Sequence, residues 1–277
     1  MGVSEKRKLI IRDTIKNCGT VIVSELASKL EVSEMTVRRD LSELEQEGFL
    51  KRTHGGAVRE VSRSYEPPFT VRTMVNLNAK AAIGAKAASY VEEGDTIAVD
   101  SGTTALEFAK HLQSFRHLTI VTPSIHIASL FLFNPGVETI LAGGVVRKTE
   151  GSLVGEICRR TFENLYFDKF FMSTAAMSPD AGFSEYIIDD AVIKKLIISH
   201  SKKTIALIDS GKFNRTAFSQ VCGLADVDIL ITEKDPDSKI KKSLLESNVY
   251  IEIATEKVQM PAIGAALQPM QENFIGE

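Results

Sequence analysis

Apolar and polar residues follow two different periods along the chain, and the change of period divides it. Residues 1–63 contain short stretches of helical period with dense charge. Between residues 80 and 254, apolar runs such as TIAVD, LTIVT, DKFFMST and KTIALIDS alternate with helical stretches. Strands that alternate with helices are typical of βαβ units around a mostly parallel sheet. The pattern therefore predicts a small helical unit followed by a larger, mostly parallel α/β domain.

A segment without a clean period joins the two parts. Residues 64–78 contain Pro67-Pro68, and two adjacent prolines cannot continue a helix, so we expect at most a short helix near Val71–Leu77. We predict four parts in chain order, which are a first domain at 1–63, a linker at 64–78, an α/β domain at 79–255 and an irregular tail at 256–277.

The first part has the pattern of a helix-turn-helix. Glu5–Asn17 is predicted to be a first helix, and Ser24 is a suitable N-cap for a second one. The three residues 31–33 form a turn before a third helix, and two helices joined by such a turn place the second of them in the DNA major groove. The apolar face of the first helix is predicted to contain Leu9, Ile10 and Ile15.

The third helix, capped by Ser33 and running to about Glu47, sorts its residues by face. At 100° per residue its apolar side chains Val37, Leu41 and Leu44 fall within roughly 60° of one another and must face the core. The opposite stripe offers arginines, which bind guanine or phosphate through two hydrogen bonds, and smaller polar groups. The predicted DNA contacts of this helix are Ser33, Met35, Thr36, Arg38, Arg39, Ser42 and Gln46.

A basic hairpin is predicted directly after the third helix. Phe49–His54 and Ala57–Glu60 are plausible strands, and Gly55-Gly56 can supply the positive φ of a tight turn. A hairpin in this position is a wing, and it adds Lys51, Arg52 and His54 to the predicted DNA contacts. The alternative is a generic helical bundle with a solvated basic face, which the wing and the sorted charge disfavour.

Net charge alone would have pointed away from DNA. The formal charge of the chain is −3, but residues 1–60 carry a net +1 and the rest a net −4. Recognition depends on where charge lies rather than on its sum.

The three cysteines are far apart without a C-x-x-C spacing, and we see neither a signal peptide nor an apolar run long enough for a membrane span. We therefore expect a cytoplasmic protein with no metal, no cofactor and no membrane association.

The α/β part carries a predicted anion site. Strand Thr96–Val99 ends in Asp100-Ser101-Gly102-Thr103-Thr104, and Ala105–Leu112 reads as a helix. Backbone N–H groups and hydroxyls at such a turn bind phosphate. Neither G-K-[ST] nor G-x-G-x-x-G is present, so a small phosphorylated ligand fits better than a nucleotide.

Other polar turns follow the predicted strands Leu118–Val121, Glu138–Ala142 and Thr204–Ile208, and the carboxyl ends of parallel strands converge on one edge where ligands bind. Lys80 and Lys212 are predicted to neutralise the phosphate, and Asp100, Asp209 or Glu185 to hold sugar hydroxyls. The predicted effector residues are Lys80, Asp100, Ser101, Gly102, Thr103, Thr104, Thr122, Ser124, Gly143, Gly144, Ser152, Glu185, Asp209 and Lys212.

Both parts resemble the DeoR family of bacterial transcriptional regulators. SELASKLEVSEMTVRRDLSELEQEGFLKRTHGGA carries the VS-x-x-T-[IV]-RRDL and R-x-HGGA signatures, and K-x-x-I-G-x-x-A, D-S-G-T-T and D-S-x-K-F follow where the family has them. The resemblance implies a winged helix-turn-helix followed by a sensor domain similar to the ribose-5-phosphate isomerase and CoA-transferase fold. Two departures concern the ligand, because Pro123 stands where the family usually has Asn, and STAAMS at 173–178 replaces a stretch that usually contains Gly and Asp.

The resemblance implies a repressor of carbohydrate genes that a phosphorylated sugar releases from its DNA operator, and no enzyme. An activator is equally compatible with the residues. The rival from another class is a sugar-phosphate isomerase with an accessory DNA-binding domain, which would need a positioned general base that STAAMS does not supply. A structural nucleoid protein would need no ligand site. A palindromic operator requires at least a homodimer, and the family commonly forms homotetramers.

Overall fold

The computed structural model describes residues 3–47, 49–53, 55–58 and 63–255 of the 277-residue chain, without the side chains of residues 3 and 16–18. The predicted DNA contact His54, the end of the second wing strand at residues 59–60 and the predicted tail at 256–277 lie outside the described residues. In the described part, no helix has both the length and the apolar character that crossing a bilayer requires.

The first part folds as a winged helix-turn-helix, as predicted. Its elements in chain order are α1 (Val3–Cys18), β1 (Thr20–Ile22), α2 (Val23–Leu30), α3 (Glu34–Gln46), β2 (Lys51–Thr53) and β3 (Gly56–Val58). The three strands form an antiparallel sheet in the order β1-β3-β2. Strand β1 was not predicted, because three residues between two helices carry no period of their own.

Three local predictions in this part were wrong. The buried residues of α1 are Ile11 and Ile15, whereas Leu9 is 51% exposed and Ile10 44% exposed. Ser24 does not cap α2, because β1 runs directly into the helix and the N-cap position is Ile22 without a side-chain hydrogen bond. Gly56 has no positive φ; it must be glycine because a Cβ there would lie 1.9 Å from the carbonyl oxygen of Val21 in the neighbouring strand.

The linker contains one short helix. Helix α4 (Phe69–Met74) begins two residues before the predicted position and ends three residues earlier. Val75 is extended and Asn76 has a φ of 54°, so the chain turns sharply before α5 (Leu77–Ala88). The linker is therefore folded against its neighbours along 69–76 rather than extended.

The larger part is a doubly wound α/β domain, which confirms the predicted fold class. Its central sheet has seven parallel strands in the order β15-β14-β12-β9-β4-β5-β6. These strands are β4 (Thr96–Val99), β5 (Leu118–Thr122), β6 (Val137–Leu141), β9 (Phe167–Met172), β12 (Ser201–Leu207), β14 (Ile229–Thr232) and β15 (Tyr250–Ile253). The helices are α6 (Thr103–Ala109), α7 (Ile125–Ser129), α8 (Glu156–Glu163), α9 (Ile188–Ser199) and α10 (Ser238–Glu246).

Two smaller antiparallel sheets complete the domain. They are the hairpin of β7 (Val145–Arg147) and β8 (Ser152–Val154), and the sheet of β10 (Ala176–Ser178), β11 (Gly182–Glu185) and β13 (Ser219–Cys222). Apolar side chains cover both faces of the seven-stranded sheet, as a parallel sheet requires. Phe108 of α6 stacks on Phe171 of β9 with 4.1 Å between ring centroids, which fixes the distance between helix and sheet.

The strand order reverses between β4 and β9. From β4 the chain continues outward through β5 to β6, and from β9 it continues in the other direction through β12, β14 and β15. Ligands of open parallel sheets bind in the crevice at the carboxyl ends of the strands where the order reverses. This topology places Asp100 and Ser173, the residues that follow β4 and β9, at the edges of that crevice.

Candidate functional site

The exposed face of α3 is the candidate DNA-reading surface. Ser33 caps the helix by accepting a hydrogen bond from the N–H of Thr36 at 3.2 Å. Because Val37, Leu41 and Leu44 are fully buried, the opposite stripe must face outward. Met35 is 76% exposed and the Arg39 side chain 81%, while Arg38 and Gln46 are exposed and Ser42 is half-buried.

Both arginines of this face are held by acids of the same helix. Arg38 pairs with Glu34 at 3.2 Å and Arg39 with Glu43 at 3.3 Å, each four residues apart. Exposed pairs of this kind contribute only about 0.3–0.5 kcal/mol. A DNA phosphate or a guanine could therefore replace the glutamates at little cost.

A buried ion pair fixes the orientation of α3 against α1. The carboxylate of Asp40, which is only 2% exposed, accepts two hydrogen bonds from the guanidinium of Arg7. Lys8 of α1 also pairs with Glu43 at 2.7 Å, so the acid beside Arg39 is shared between two cations. Asp40 and Glu43 of α3 are thus both paired with cations of α1.

The wing is tied to the recognition helix. The N–H of Arg52 donates to Glu45 at 2.8 Å, and its guanidinium donates to Ser42 at 3.3 Å. The structure therefore brings two predicted DNA contacts, Ser42 and Arg52, into one hydrogen-bonded group, with Lys51 exposed beside them.

In the sensor domain, a buried lysine that the sequence did not indicate lies at the crevice. Lys194 of α9 donates to Asp100 at 2.8 Å, to Glu185 at 2.5 Å and to the carbonyl of Ser173 at 2.7 Å. Burial would lower the pKa of Lys194, but the carboxylates of Asp100 and Glu185 outweigh it and raise that pKa. Two of the carboxylates predicted to hold sugar hydroxyls are therefore held by Lys194.

The two lysines predicted to neutralise phosphate, Lys80 and Lys212, both lie near the carboxylate of Asp209. The ammonium of Lys80 donates to the carbonyl of Arg72 in α4, and that of Lys212 donates to the carbonyl of Thr174 at 2.7 Å. Burial and the charge of Lys212 lower the pKa of Lys80 to about 7, and burial lowers the pKa of Lys212. Asp209 lies 3.9 Å from Lys212, raises the pKa of Lys80 by its charge, and accepts a hydrogen bond from Asn76 at 2.8 Å. Burial that lowers the pKa of both lysines is a situation that a bound anion would relieve.

The predicted hydroxyl groups divide into satisfied and unsatisfied ones. The side chain of Thr122 accepts from the N–H of Ser124 at 3.1 Å, and Ser124 in turn caps α7 by accepting from Ile127 at 3.3 Å. Within the described ranges, the buried hydroxyls of Thr104 and Ser152 have no hydrogen-bond partner. A buried polar atom without a partner costs about 1–3 kcal/mol, so these two hydroxyls are free for a ligand.

The glycines of the predicted site have packing roles. A Cβ on Gly102 would lie 2.0 Å from the hydroxyl of Ser173, which closes the turn after β4 against β9. Gly144 has a φ of 133°, and a Cβ there would meet the carbonyl of Val154 at 2.4 Å. Ser101 and Thr103 are buried on either side of Gly102.

The predicted effector residues span more of the sheet than one sugar phosphate can contact. Asp209 follows β12 and Gly143-Gly144 follow β6, four strands away, which at 4.8 Å per strand is roughly 19 Å. The group that the structure brings together is central and contains Lys80, Asp100, Glu185, Asp209 and Lys212. The outer residues Thr122, Ser124 and Ser152 lie around the β5–α7 turn, where Ser124 and Ser152 form an isolated bridge.

The two departures from the family pattern lie on either side of this group. In STAAMS, Ser173 donates its N–H to Asp100 at 3.0 Å, and Thr174 offers its carbonyl to Lys212. Pro123 contributes only a carbonyl, which accepts from the N–H of Leu153 at 2.9 Å. At both positions main-chain groups make polar contacts, the hydroxyl of Ser173 also donates to Asp100, and no side chain there adds a carboxylate or an amide to the crevice.

A second group of charges that the sequence did not indicate connects the linker to the sensor domain. Arg72 pairs with Glu66 at 3.1 Å and with Glu150, and Arg147 joins Glu66 to Asp190.

The sequence contains a signal that could have revealed Lys194, because this lysine occupies the buried stripe of α9 between Ala191 and Ile197. None was present for the linker pairs, since they join residues up to 81 positions apart.

The described residues contain no group of three or more His, Cys, Asp or Glu side chains that could hold a metal. Cys158 and Cys222 are buried free thiols, and burial raises the pKa of each to about 12. A thiol with so high a pKa carries almost no thiolate at neutral pH, in keeping with a packing role.

Family models match both parts of the chain. The DeoR-like helix-turn-helix domain matches residues 7–63, and the DeoR C terminal sensor domain matches residues 75–234. The chain is 35% identical to the uncharacterized HTH-type transcriptional regulator FruR of Bacillus subtilis (strain 168), over 85% of this chain and 93% of that protein. It is 29% identical to the HTH-type transcriptional repressor CsqR of Escherichia coli (strain K12), over 86% of this chain and 91% of that protein.

A solved structure of ribose 5-phosphate isomerase a from Methanocaldococcus jannaschii is also similar to part of the chain. It aligns with a TM-score of 0.37 and 14% identity, covering 50% of this chain and 55% of that one.

Proposed function

Because the chain belongs to the DeoR family of transcriptional regulators, we propose that it represses carbohydrate-metabolism genes and leaves its operator when a phosphorylated sugar binds. The observation that carries the effector proposal is the pair Lys80 and Lys212 at the carboxyl edge of the sheet, both of which donate to main-chain carbonyls near Asp209. A phosphate dianion would be a stronger acceptor than a carbonyl for both ammonium groups.

The sugar part of the ligand would meet the centre of the crevice. Asp209 lies beside the lysines, and the free hydroxyl of Thr104 offers a further polar group. The ligand must bind more tightly to the released state than to the DNA-bound state, since equal binding would shift nothing. Repression is the direction we propose, in keeping with the relative that is named a repressor.

The isomerase alternative is not proposed. The relatives are named as regulators or repressors, and the chain is a regulator rather than an enzyme. An isomerase also needs a carboxylate free to take a proton. In the crevice, Asp100 and Glu185 are both paired with Lys194.

The regulator is proposed to act in the cytoplasm as a homodimer or homotetramer. A symmetric operator presents two equivalent half-sites about one helical turn apart, and two copies of α3 would read them. The ratio of the two assemblies is measurable by sedimentation of the full chain.

A thermal-shift screen tests the effector proposal. The full chain is heated with a panel of pentose and hexose phosphates and with the same sugars lacking phosphate. A ligand present at a hundred times its Kd adds about 2.7 kcal/mol of stability, which raises the melting temperature measurably. We expect stabilisation by at least one phosphorylated sugar and by none of the neutral sugars. The hit is then added to a mobility-shift titration, and a DNA complex that survives saturating ligand would contradict the proposal.

Arg39 is expected to contribute directly to operator affinity. Arg39→Ala should weaken binding by about 1–3 kcal/mol, roughly 5- to 150-fold, if its guanidinium contacts a base edge. The measurement is a mobility-shift titration on a duplex selected from random-sequence DNA by the full chain. The matched control is Arg160→Ala on α8, another exposed arginine paired with a glutamate four residues away, at 2.9 Å. Equal affinities for Arg39→Ala and wild type would remove Arg39 from the reading face.

Effector affinity is expected to fall as the pH rises above neutrality. Lys80 has a pKa of about 7 and becomes neutral above that pH. Burial, Lys212 and Arg72 lower this pKa, and the carboxylates of Asp209 and Glu107 raise it. A sugar phosphate, whose second pKa is about 6, is mostly dianionic above pH 7, so its own charge changes little there. Binding must then take up a proton, and the Kd should rise by up to about tenfold per pH unit.

Calorimetric titrations at pH 6.5–9 measure this dependence. Lys80→Arg keeps a permanent charge and should flatten the curve, leaving only the contribution of Lys212. A Kd that is constant from pH 7 to 9 in the wild type would show that Lys80 does not bind the anion.

A further inference from the structure

Helix α4 contacts both proposed functional units. On one side, Met74 and Val75 line a cleft together with Ile22, Ser24 and Arg38 of the DNA-binding domain. On the other side, the carbonyl of Arg72 accepts the hydrogen bond from Lys80. The helix has only six residues, so a displacement of its C-terminal end would change its contacts with both units.

The start of α4 is firmly anchored to the sensor domain. The N–H of Phe69 donates to the carbonyl of Thr149 at 3.2 Å, and its ring stacks on that of His126 with 4.3 Å between centroids. The guanidinium of Arg72 is held by Glu66 and Glu150. None of these contacts is made by Lys80, Asp100, Glu185, Asp209 or Lys212, so we expect them to persist when the effector binds.

The end of α4 is held by residues of the proposed anion site. The last carbonyls of a helix have no partner within it, and Lys80 supplies one to Arg72 in the manner of a C-terminal cap. Asn76, two residues beyond the helix, donates to Asp209 at 2.8 Å. Both residues that hold the end of α4, Lys80 and Asp209, are members of the central group.

We propose that the effector and the linker compete for Lys80, so that anion binding releases the end of α4 from the sensor domain. This inference rests on the proposed function, and it names the means by which that site regulates DNA binding. An ammonium that turns toward a phosphate dianion leaves the Arg72 carbonyl, and Met74-Val75 lose their fixed position against the DNA-binding domain. When the orientation of the DNA-binding domain is no longer fixed, binding to two half-sites must fix it again. The entropy lost in that step weakens operator affinity.

The first test needs no effector. Lys80→Met removes the hydrogen bond to Arg72 and should weaken binding to the selected operator duplex at least fivefold in the absence of ligand. The matched control is Lys86→Met on the same helix, because Lys86 pairs with Glu252 at 2.9 Å and does not contact the linker in the described structure. Lys86→Met should bind the duplex within twofold of wild type. Wild-type operator affinity in Lys80→Met would overturn the inference.

The second test uses the wild-type chain, so it does not depend on the folding of a variant. Amide hydrogen exchange is measured with and without inorganic phosphate at millimolar concentration. We expect slower exchange at residues 100–104 and 210–212, with faster exchange at residues 73–76. Protection at the anion site without faster exchange at 73–76 would overturn competition while leaving the proposed function intact. No change at 100–104 or 210–212 would instead count against the anion site itself, and with it the inference.

Discussion

Replacing Lys212 with methionine is expected to abolish the response to the effector while leaving operator binding unchanged. Lys212 donates to the carbonyl of Thr174 and lies 3.9 Å from Asp209, so its contacts belong to the sheet edge of the sensor domain. Removing one partner of a desolvated charge pair costs about 2–5 kcal/mol of binding free energy. That range corresponds to a loss of effector affinity between roughly 30-fold and several thousand-fold.

The substitution is chosen to keep the fold. Methionine nearly matches lysine in length, and burial already lowers the pKa of Lys212, which means that the folded protein does not favour its charge. We therefore expect little change in stability. Calorimetry with the sugar phosphate found in the thermal-shift screen measures affinity, and a mobility-shift titration with that ligand measures release.

A matched control separates the site from a general effect of lysine removal. Lys242 on α10 has a side chain that is 75% exposed, and Lys242→Met should bind and release like wild type. If Lys212→Met still leaves the operator at the wild-type effector concentration, the anion is bound elsewhere in the chain.

The sequence was most informative where a local pattern decides the structure. The capping of α3 by Ser33 and the burial of Val37, Leu41 and Leu44 depend only on helix geometry and local hydrogen bonding, and both predictions are confirmed. The strand Thr96–Val99 was predicted with its exact bounds, because a run buried on both faces is bounded by polar turns.

Local reasoning failed where a distant partner decides. Ser24 looked like a helix cap, but the pairing of Thr20–Ile22 with β3 determines where α2 begins. The face of α1 was also misjudged, and the structure pairs Arg7 of this helix with Asp40 on another helix, 33 positions away. No window of ten or twenty residues contains these contacts.

The candidate effector site shows the same division. Its turns were found because parallel strands bring their carboxyl ends to one edge, whatever the side chains are. The partners of its charges were not found, since Asp100 and Lys194 are 94 positions apart and the linker contacts of Lys80 and Asp209 cross from one predicted part to another. Asp100 and Glu185, which were predicted to hold sugar hydroxyls, are therefore already paired with Lys194.

Among the substitutions considered, replacement of Lys194 is expected to lower the free energy of unfolding the most. Lys194→Met leaves the carboxylates of Asp100 and Glu185 buried without their counter-charge, and breaking a buried pair from one side typically costs about 3–5 kcal/mol. Lys195→Met is the matched control, because the neighbouring lysine is exposed and such substitutions usually stay within about 0.5 kcal/mol. Urea unfolding of the full chains at pH 7 measures both differences.

The pH dependence of the variant identifies the cause of its instability. Burial already raises the pKa of Glu185, and without the opposing charge of Lys194 this pKa should rise further above its value in the unfolded chain. The folded state then binds more protons, so the variant should become more stable relative to wild type as the pH falls from 7 toward 5. Adding Asp100→Asn and Glu185→Gln to Lys194→Met removes both charges and should recover part of the loss at pH 7 while abolishing this pH dependence. A Lys194→Met deficit that is the same at pH 5 and 7 would instead assign the loss to packing, because a methionine that merely fits badly does not titrate.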